Sequence, residues 1–166
     1  RLATLGDTES LARLVAYSLD HYFGEPLGDG RGDAPARLLW HVATGTAQLA
    51  ASFMAAGFVH GVLNSDNINI TGESFDYGPW RFAPSFDANF TAAYFDQNGL
   101  YAFGRQAEAM HWNLGQLAVS LRLICEAPPL IEALERFPAL YKAAIVRRFL
   151  WRLGVESRGE DDDRAL

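Results

Sequence analysis

The sequence has 166 residues, of which 49% are hydrophobic and 13% aromatic; this composition favours one packed domain and excludes a disordered chain. No stretch approaches the roughly 18 consecutive apolar residues of a membrane-spanning helix, so no membrane partner is expected. The net charge of −6 argues against nucleic acid as a partner. The single cysteine, Cys125, excludes an internal disulfide and a multi-cysteine zinc site, and favours a reducing compartment.

Residues 8–23 carry apolar side chains at helical spacing, which predicts the first helix of the chain. Thr8 or Ser10 is expected to cap its start, and Gly24 to end it. Residues 24–35 form a loop rich in glycine, proline and aspartate. Its glycines follow the pattern G-x-G-x-G and no strand precedes them, so we expect a solvated connector and not a phosphate-binding loop.

A longer apolar periodicity predicts a second helix over residues 35–56, with Gly57 as the residue that ends it. The side chains expected on its apolar side are Leu39, Val42, Thr46, Leu49, Phe53 and Met54. Two short apolar segments follow, residues 68–70 and 74–78. We expect them to pair as a small β-hairpin that turns at residues 71–72.

The second half of the chain begins with residues 79–105, which are rich in aromatic residues, Asn, Asp and Gly and have no clear period. A long loop is expected there, either functional or poorly ordered. The next helix is predicted over residues 106–125, with Trp112 as a packing residue and with Leu114, Leu117, Ala118 and Leu121 toward the core. Two further helices are predicted over about 130–137 and 139–153.

The most informative stretch is residues 60–67, which read H-G-V-L-N-S-D-N and are followed by D-Y-G at residues 76–78. A protein-kinase catalytic loop reads H-R-D-L-x-x-x-N and is followed by a D-F-G metal motif. The two patterns agree in order, but Val62 stands where the kinase has its catalytic aspartate. If the site is active, another residue must therefore accept the proton.

Phosphoryl and nucleotidyl transfer need a metal ion on the phosphates and an acceptor for the hydroxyl proton. Magnesium prefers one or two carboxylates with phosphate and water oxygens, and Asn67 and Asp76 supply such ligands. The predicted hairpin would bring these two residues beside one ion. Asp66 precedes Asn67, so its side chain should point elsewhere, toward an incoming hydroxyl, as a general base does. Taken alone, each short motif is equally compatible with an ordinary turn.

Three runs resemble the selenoprotein O family, also called SelO or YdiU: GFVHGVLNSDN, DYGPW and GLYAFGRQ…WNLGQLA. The resemblance extends from about residue 8 to 155 and implies a protein-kinase-like (α+β) fold. This chain would be a C-lobe portion of that fold, mainly α with a small β-hairpin. The implied activity is transfer of AMP from ATP to protein Ser, Thr or Tyr hydroxyls, which is protein AMPylation.

The resemblance also implies roles for single residues. The family's catalytic base matches Asp66, and its magnesium ligands match Asn67 and Asp76, with Asp76 reaching the ATP phosphates through the metal. Mg²⁺ is the expected metal, and Mn²⁺ is an alternative. Family members carry a residue other than Asp at the position of Val62, so Val62 alone does not indicate an inactive protein.

Supporting roles are expected for His60, which should organise the loop through a backbone hydrogen bond, and for Gly78. The family often carries Asn-His-Ser-Asp in the loop after D-Y-G. This sequence reads AAYFD at residues 92–96, where only Asp96 fits. Some bacterial members have a regulatory cysteine in this loop; residues 79–105 contain none, so redox control through that bridge is not expected.

The distribution of Lys and Arg indicates that the ATP-binding residues expected upstream are absent from this chain. Of its 14 Lys and Arg residues 13 are Arg, and the only lysine, Lys142, lies after the catalytic motif. The family's ATP-gripping lysine and arginines lie upstream, and this sequence begins without a methionine. We therefore expect residues 1–155 to be a C-lobe segment, with an acidic, frayed tail at 156–166 and the N-lobe and C-terminal region absent. Such a fragment is expected to be inactive alone and able to self-associate.

The sequence is compatible with two functional hypotheses. The first is an adenylyltransferase whose partners are ATP and hydroxyl-bearing proteins, in the cytoplasm of a bacterium or in mitochondria if eukaryotic. The second is a catalytically silent pseudokinase module that binds a partner protein, which Val62 and the altered AAYFD run favour. Loss of function on replacement of Asp76 would separate the two.

Overall fold

The computed structural model describes residues 2–26 and 33–159. In this part of the chain the elements follow in the order α1 (Leu2–Leu5), α2 (Thr8–Phe23), α3 (Ala34–Ala56), β1 (Phe58–His60), β2 (Trp80–Phe82), a 3-10 turn (Phe103–Arg105), α4 (Gln106–Leu121), α5 (Ala127–Glu135) and α6 (Phe137–Leu153). The prediction of a mainly helical chain with a small β element is confirmed. Residues 27–32 of the loop predicted at 24–35 and residues 160–166 of the tail predicted at 156–166 lie outside the described residues.

Helix α2 has the predicted bounds but a different cap. The side chain of Asp7 accepts a hydrogen bond from the backbone N–H of Ser10 at 3.0 Å, so Asp7, and not Thr8 or Ser10, caps the helix. The helix ends as predicted at Gly24, which has a left-handed φ of 67°. The same hydrogen bond holds the pKa of the Asp7 carboxyl below its usual value of 3.8.

Replacement of Asp7 by Ala is expected to lower the melting temperature at neutral pH, because the Ser10 N–H loses its partner. Since the folded-state pKa is depressed, this contribution is fully present above pH 3.8 and is lost as the pH falls through the lower folded-state value. Thermal melts of the wild type and of Asp7→Ala should therefore converge in acid. Asp7→Asn is the matched control, since it keeps an acceptor oxygen but does not titrate. A melting difference for Asp7→Ala that does not change with pH would contradict this role of the charge.

Helix α3 is the centre of the fold and packs against α2, α4, α5 and α6. Its inward face combines large side chains with small ones that allow the neighbouring helices to approach closely. The fully or almost fully buried members are Leu38, Leu39, Val42, Ala43, Thr46, Ala47, Ala50 and Ala51. The predicted end at Gly57 is confirmed by its left-handed φ of 66°, and it turns the chain directly into β1.

The C-terminal helices differ from the prediction at their ends. Helix α4 ends at Leu121 and not at residue 125, so Cys125 lies beyond the helix, half-buried against the core. Burial raises the pKa of the Cys125 thiol above its usual value. Trp112 was predicted to pack in the core, but its side chain is 62% exposed. The predicted helices at 130–137 and 139–153 are confirmed, and each begins a few residues earlier.

The β element is distributed differently from the prediction. Strands β1 and β2 pair antiparallel, with Phe58 opposite Phe82 and His60 opposite Trp80. Strand β2 therefore lies inside the stretch 79–105 that was predicted to be a loop. The predicted hairpin between β1 and β2 is reduced to a single bridge, Ile68 to Ser74.

This reduced hairpin is fixed against α3 by two glycines. Gly72 has a φ of 80°, and a Cβ atom there would lie 2.8 Å from the backbone of Gly45 in α3. Only glycine at position 72 allows both this backbone conformation and this approach. The turn thus sits directly on the central helix. Among the described residues, no helix is both long and apolar enough to cross a membrane.

Candidate active site

His60 organises the loop after β1, as predicted. Its side chain is fully buried, its Nδ1 accepts a hydrogen bond from Val62 N–H at 3.1 Å, and its Nε2 lies 3.0 Å from the Phe75 carbonyl oxygen. Because Nδ1 accepts and a carbonyl can only accept, Nε2 carries the proton and donates it. One imidazole therefore ties the start of the H-G-V-L-N-S-D-N loop to the segment that enters D-Y-G.

Asn67 closes the same loop from its other end. It is 5% exposed, and its Nδ2 donates to the Val62 carbonyl oxygen at 2.9 Å, which leaves Oδ1 as the free acceptor of the amide. The Asn67 carbonyl oxygen also accepts a hydrogen bond from Phe75 N–H at 3.3 Å. Val62 thus stabilises the loop through hydrogen bonds of its backbone N–H and C=O. These bonds do not depend on its side chain.

Asp76 follows directly after this tied segment. Its φ of 57° is a left-handed conformation that is uncommon outside glycine and that aspartate tolerates better than most residues. The neighbouring Phe75 is held on both sides, by Asn67 through its N–H and by His60 through its carbonyl. A strained backbone held in this way is typical of functional sites.

The structure brings Asn67 and Asp76 onto two backbone-bonded segments, with Asp66 next to Asn67. Asp66 and Asp76 are both exposed, and within the described chain neither carboxylate has a hydrogen bond or ion pair. The described residues contain no cluster of three or more His, Cys, Asp or Glu that could hold a metal ion. The Asp76 carboxylate and the Asn67 amide oxygen fit Mg²⁺, because this ion takes its remaining ligands from phosphate and water oxygens.

Gln106, the first residue of α4, is a supporting residue that the sequence did not reveal. It is 1% exposed, its Oε1 accepts from His60 N–H at 2.9 Å, and its Nε2 donates to the Phe58 carbonyl oxygen at 2.9 Å. Both groups belong to residues of β1 whose backbone polar groups point away from β2. The side-chain amide therefore pairs with β1 as a further strand would.

Asn113 makes a second connection from α4 to the loop. Its Nδ2 donates to the Leu63 carbonyl oxygen at 2.7 Å, and the residue is 9% exposed. Together with Gln106 it attaches the start and the middle of the loop to one helix. The predicted helix over this region gave its core-facing leucines but not these two amides, because their partners lie about fifty residues upstream.

Asp96, the one residue of AAYFD that fits the family pattern, has a defined structural role. Its carboxylate accepts hydrogen bonds from the N–H groups of Leu100 and Tyr101 at 2.7 and 2.8 Å. This fold of the loop brings Tyr101 near the candidate base. Burial, and then the negative charges of Asp96 and Asp66, raise the pKa of the Tyr101 hydroxyl.

Comparison with known proteins identifies the family. A family model described as "Protein adenylyltransferase SelO" matches residues 1–166. A "Protein nucleotidyltransferase YdiU" from Synechocystis sp. is 43% identical over 151 residues, which are 90% of this chain and 32% of that protein. A relative of the same name from Synechococcus elongatus is 45% identical over 150 residues, 88% of this chain and 30% of its own length. One from Pseudomonas putida is 45% identical over 120 residues, 72% of this chain and 24% of its own length.

The chain belongs to the SelO family, as the loop motif predicted. It spans about a third of the length of the relatives that it matches, 32% in the Synechocystis protein. The names of those relatives describe proteins that are about three times longer than this chain.

Proposed function

We propose that this chain is the metal-binding and base-carrying segment of a longer, protein-kinase-like enzyme that transfers AMP from ATP to hydroxyl groups of proteins. The observation that carries the proposal is the pair of backbone-bonded segments bearing Asn67 and Asp76, with Asp66 beside them. Membership of a family described as protein adenylyltransferase supports the type of reaction. Relatives named protein nucleotidyltransferase support nucleotide transfer in general.

In the proposed reaction, Asn67 Oδ1 and the Asp76 carboxylate would hold Mg²⁺, which would neutralise charge on the ATP phosphates. The carboxylate of Asp66 accepts the proton of a Ser, Thr or Tyr hydroxyl. The hydroxyl oxygen then forms a bond to the α-phosphorus, and the bond from this phosphorus to the bridging oxygen of pyrophosphate breaks. The acceptor gains AMP, and pyrophosphate leaves.

The hydrogen-bonded scaffold of the loop supports this assignment. His60, Gln106 and Asn113 hold the loop through buried hydrogen bonds, and the two aspartates project from it without partners among the described residues. A catalytic group on a rigid support is what proximity and orientation require. Replacement of the usual Asp by Val62 is compatible with activity, since this position contributes through its backbone.

The test is label transfer by the full-length protein that contains this chain. We expect α-labelled ATP to label acceptor proteins and γ-labelled ATP to leave them unlabelled, because the γ-phosphate departs in pyrophosphate. Transfer of the γ label would make the protein an ordinary kinase. Failure to transfer either label, with ATP binding intact, would favour the silent pseudokinase module.

A further inference from the structure

A cavity of about 340 Å³ lies beside the candidate base. One wall is formed by Leu63, Asn64 and Ser65, the three residues that precede Asp66. The opposite wall comes from the loop that Asp96 folds and from α4, including Tyr101 and Trp112. The cavity is therefore continuous with the place where an acceptor hydroxyl must arrive.

The walls combine apolar surface with one ion pair, and two further carboxylates belong to segments next to the walls. Leu100 and Trp112 line the cavity and are 50% and 62% exposed, so they are available to a ligand. Glu108 lines the cavity, Asp66 directly follows the lining residue Ser65, and Asp96 accepts from the backbone N–H groups of Leu100 and Tyr101. Among the described residues that line it, the one cation is Arg105, which forms a two-point ion pair with Glu108 at 3.0 and 3.1 Å.

On the basis of the proposed function, we propose that this cavity binds a lysine or arginine side chain of the acceptor protein, close in sequence to the hydroxyl that is modified. The aliphatic stem of such a side chain packs on apolar walls, and its cationic end meets aromatic rings and carboxylates. A neutral apolar side chain would pack on the same walls but would not interact with the negative charges of Asp66 and Asp96, which act on Tyr101 in the cavity wall.

The experiment uses the full-length protein and peptides that carry one acceptor serine. A single Lys, Arg, Gln or Glu is placed at each position on either side of the serine, and AMP transfer from α-labelled ATP is measured. We expect Lys or Arg at one or two fixed positions to raise kcat/KM about fivefold over Gln at the same position, mostly through KM. Glu there should lower it.

Two variants test whether this cavity is responsible. Glu108→Lys reverses the charge of its acidic wall, and Leu100→Arg introduces a cation at an exposed wall residue; each should abolish the preference for Lys and Arg. The matched control is Glu132→Lys on α5. Glu132 has 64% side-chain exposure and pairs with Arg136, whereas Glu108 has 66% and pairs with Arg105. The control should keep the preference, and the KM for ATP should not change in any variant.

The possible results distinguish a failure of the cavity proposal from a failure of the proposed function. Absence of a preference for Lys and Arg, or a preference that both cavity variants retain, overturns the inference while AMP transfer still stands. If no AMP is transferred at all, the proposed function fails, and binding of fluorescent peptides with Ala in place of the serine decides the inference. Weaker binding of the Lys peptide to both cavity variants, but not to Glu132→Lys, supports the cavity as a basic-side-chain site; equal binding overturns it.

Discussion

Asp76→Asn in the full-length protein is expected to lower kcat for AMP transfer on the order of 1,000-fold, because it removes a metal-binding charge from the ATP phosphates. Asn is the suitable replacement, since it has nearly the same shape and also tolerates the left-handed φ of 57°. The measurement is label transfer from α-labelled ATP at saturating acceptor, with the Mg²⁺ concentration varied. A raised requirement for Mg²⁺ should accompany the loss.

The matched control for this prediction is Asp20→Asn. Asp20 is an exposed aspartate on α2 whose carboxylate has no hydrogen bond or ion pair within the described chain, as is the case for the carboxylate of Asp76. We expect wild-type kcat from the control and equal melting temperatures for both variants. If Asp76→Asn retained activity within a few-fold of the wild type, the metal-ligand role would be wrong, and the pseudokinase hypothesis would gain support.

The second large effect is expected on stability. Gln106→Leu leaves His60 N–H and the Phe58 carbonyl oxygen buried without partners, at a cost of about 2–5 kcal/mol for the two groups together. Amide hydrogen exchange at His60 measures this directly, because it reports the free energy of local opening of β1. We expect faster exchange at His60 and a reduced kcat, because the loop carrying Asp66 loses its attachment to α4.

Gln116→Leu, an exposed change of the same chemistry on the same helix, is the control for Gln106→Leu. It should leave the His60 exchange rate unchanged. Gln106→Glu adds a further comparison, because a carboxylate still accepts from His60 N–H but cannot donate to Phe58. Equal exchange rates at His60 in Gln106→Leu and Gln116→Leu would show that the amide is not what holds β1.

The sequence predicted the helices well because each has a sustained apolar period. Helix α2 has the predicted bounds, and α3 differs by one residue, since one apolar stripe and a terminal glycine define each. Strand β2 was not predicted because it is only three residues long and exposed throughout. It therefore has no alternation of buried and exposed side chains. Residues 61–79 separate it from β1, its partner strand.

For the candidate site, the sequence predicted the contiguous motif but not the residues that hold it in place. Residues 60–67 and 76–78 identified the family, because their order is specific and local. The roles of Gln106 and Asn113 depend on partners 46 to 50 residues away. A glutamine that begins a helix looks like a surface residue until the fold places a strand against it. The same applies to Trp112, whose helical position predicted packing and whose neighbours leave it exposed.

The pairing of Gln106 with β1 also affects whether β1 can accept a further strand. A strand at the edge of a sheet presents unpaired N–H and C=O groups that can recruit a strand from another molecule. Strand β1 is paired with β2 on one side, and on the other side the His60 N–H and the Phe58 carbonyl oxygen are already occupied by a single side chain. One amide therefore obstructs this edge of β1 against intermolecular β-pairing, a protection that Gln106→Leu would remove together with the stability.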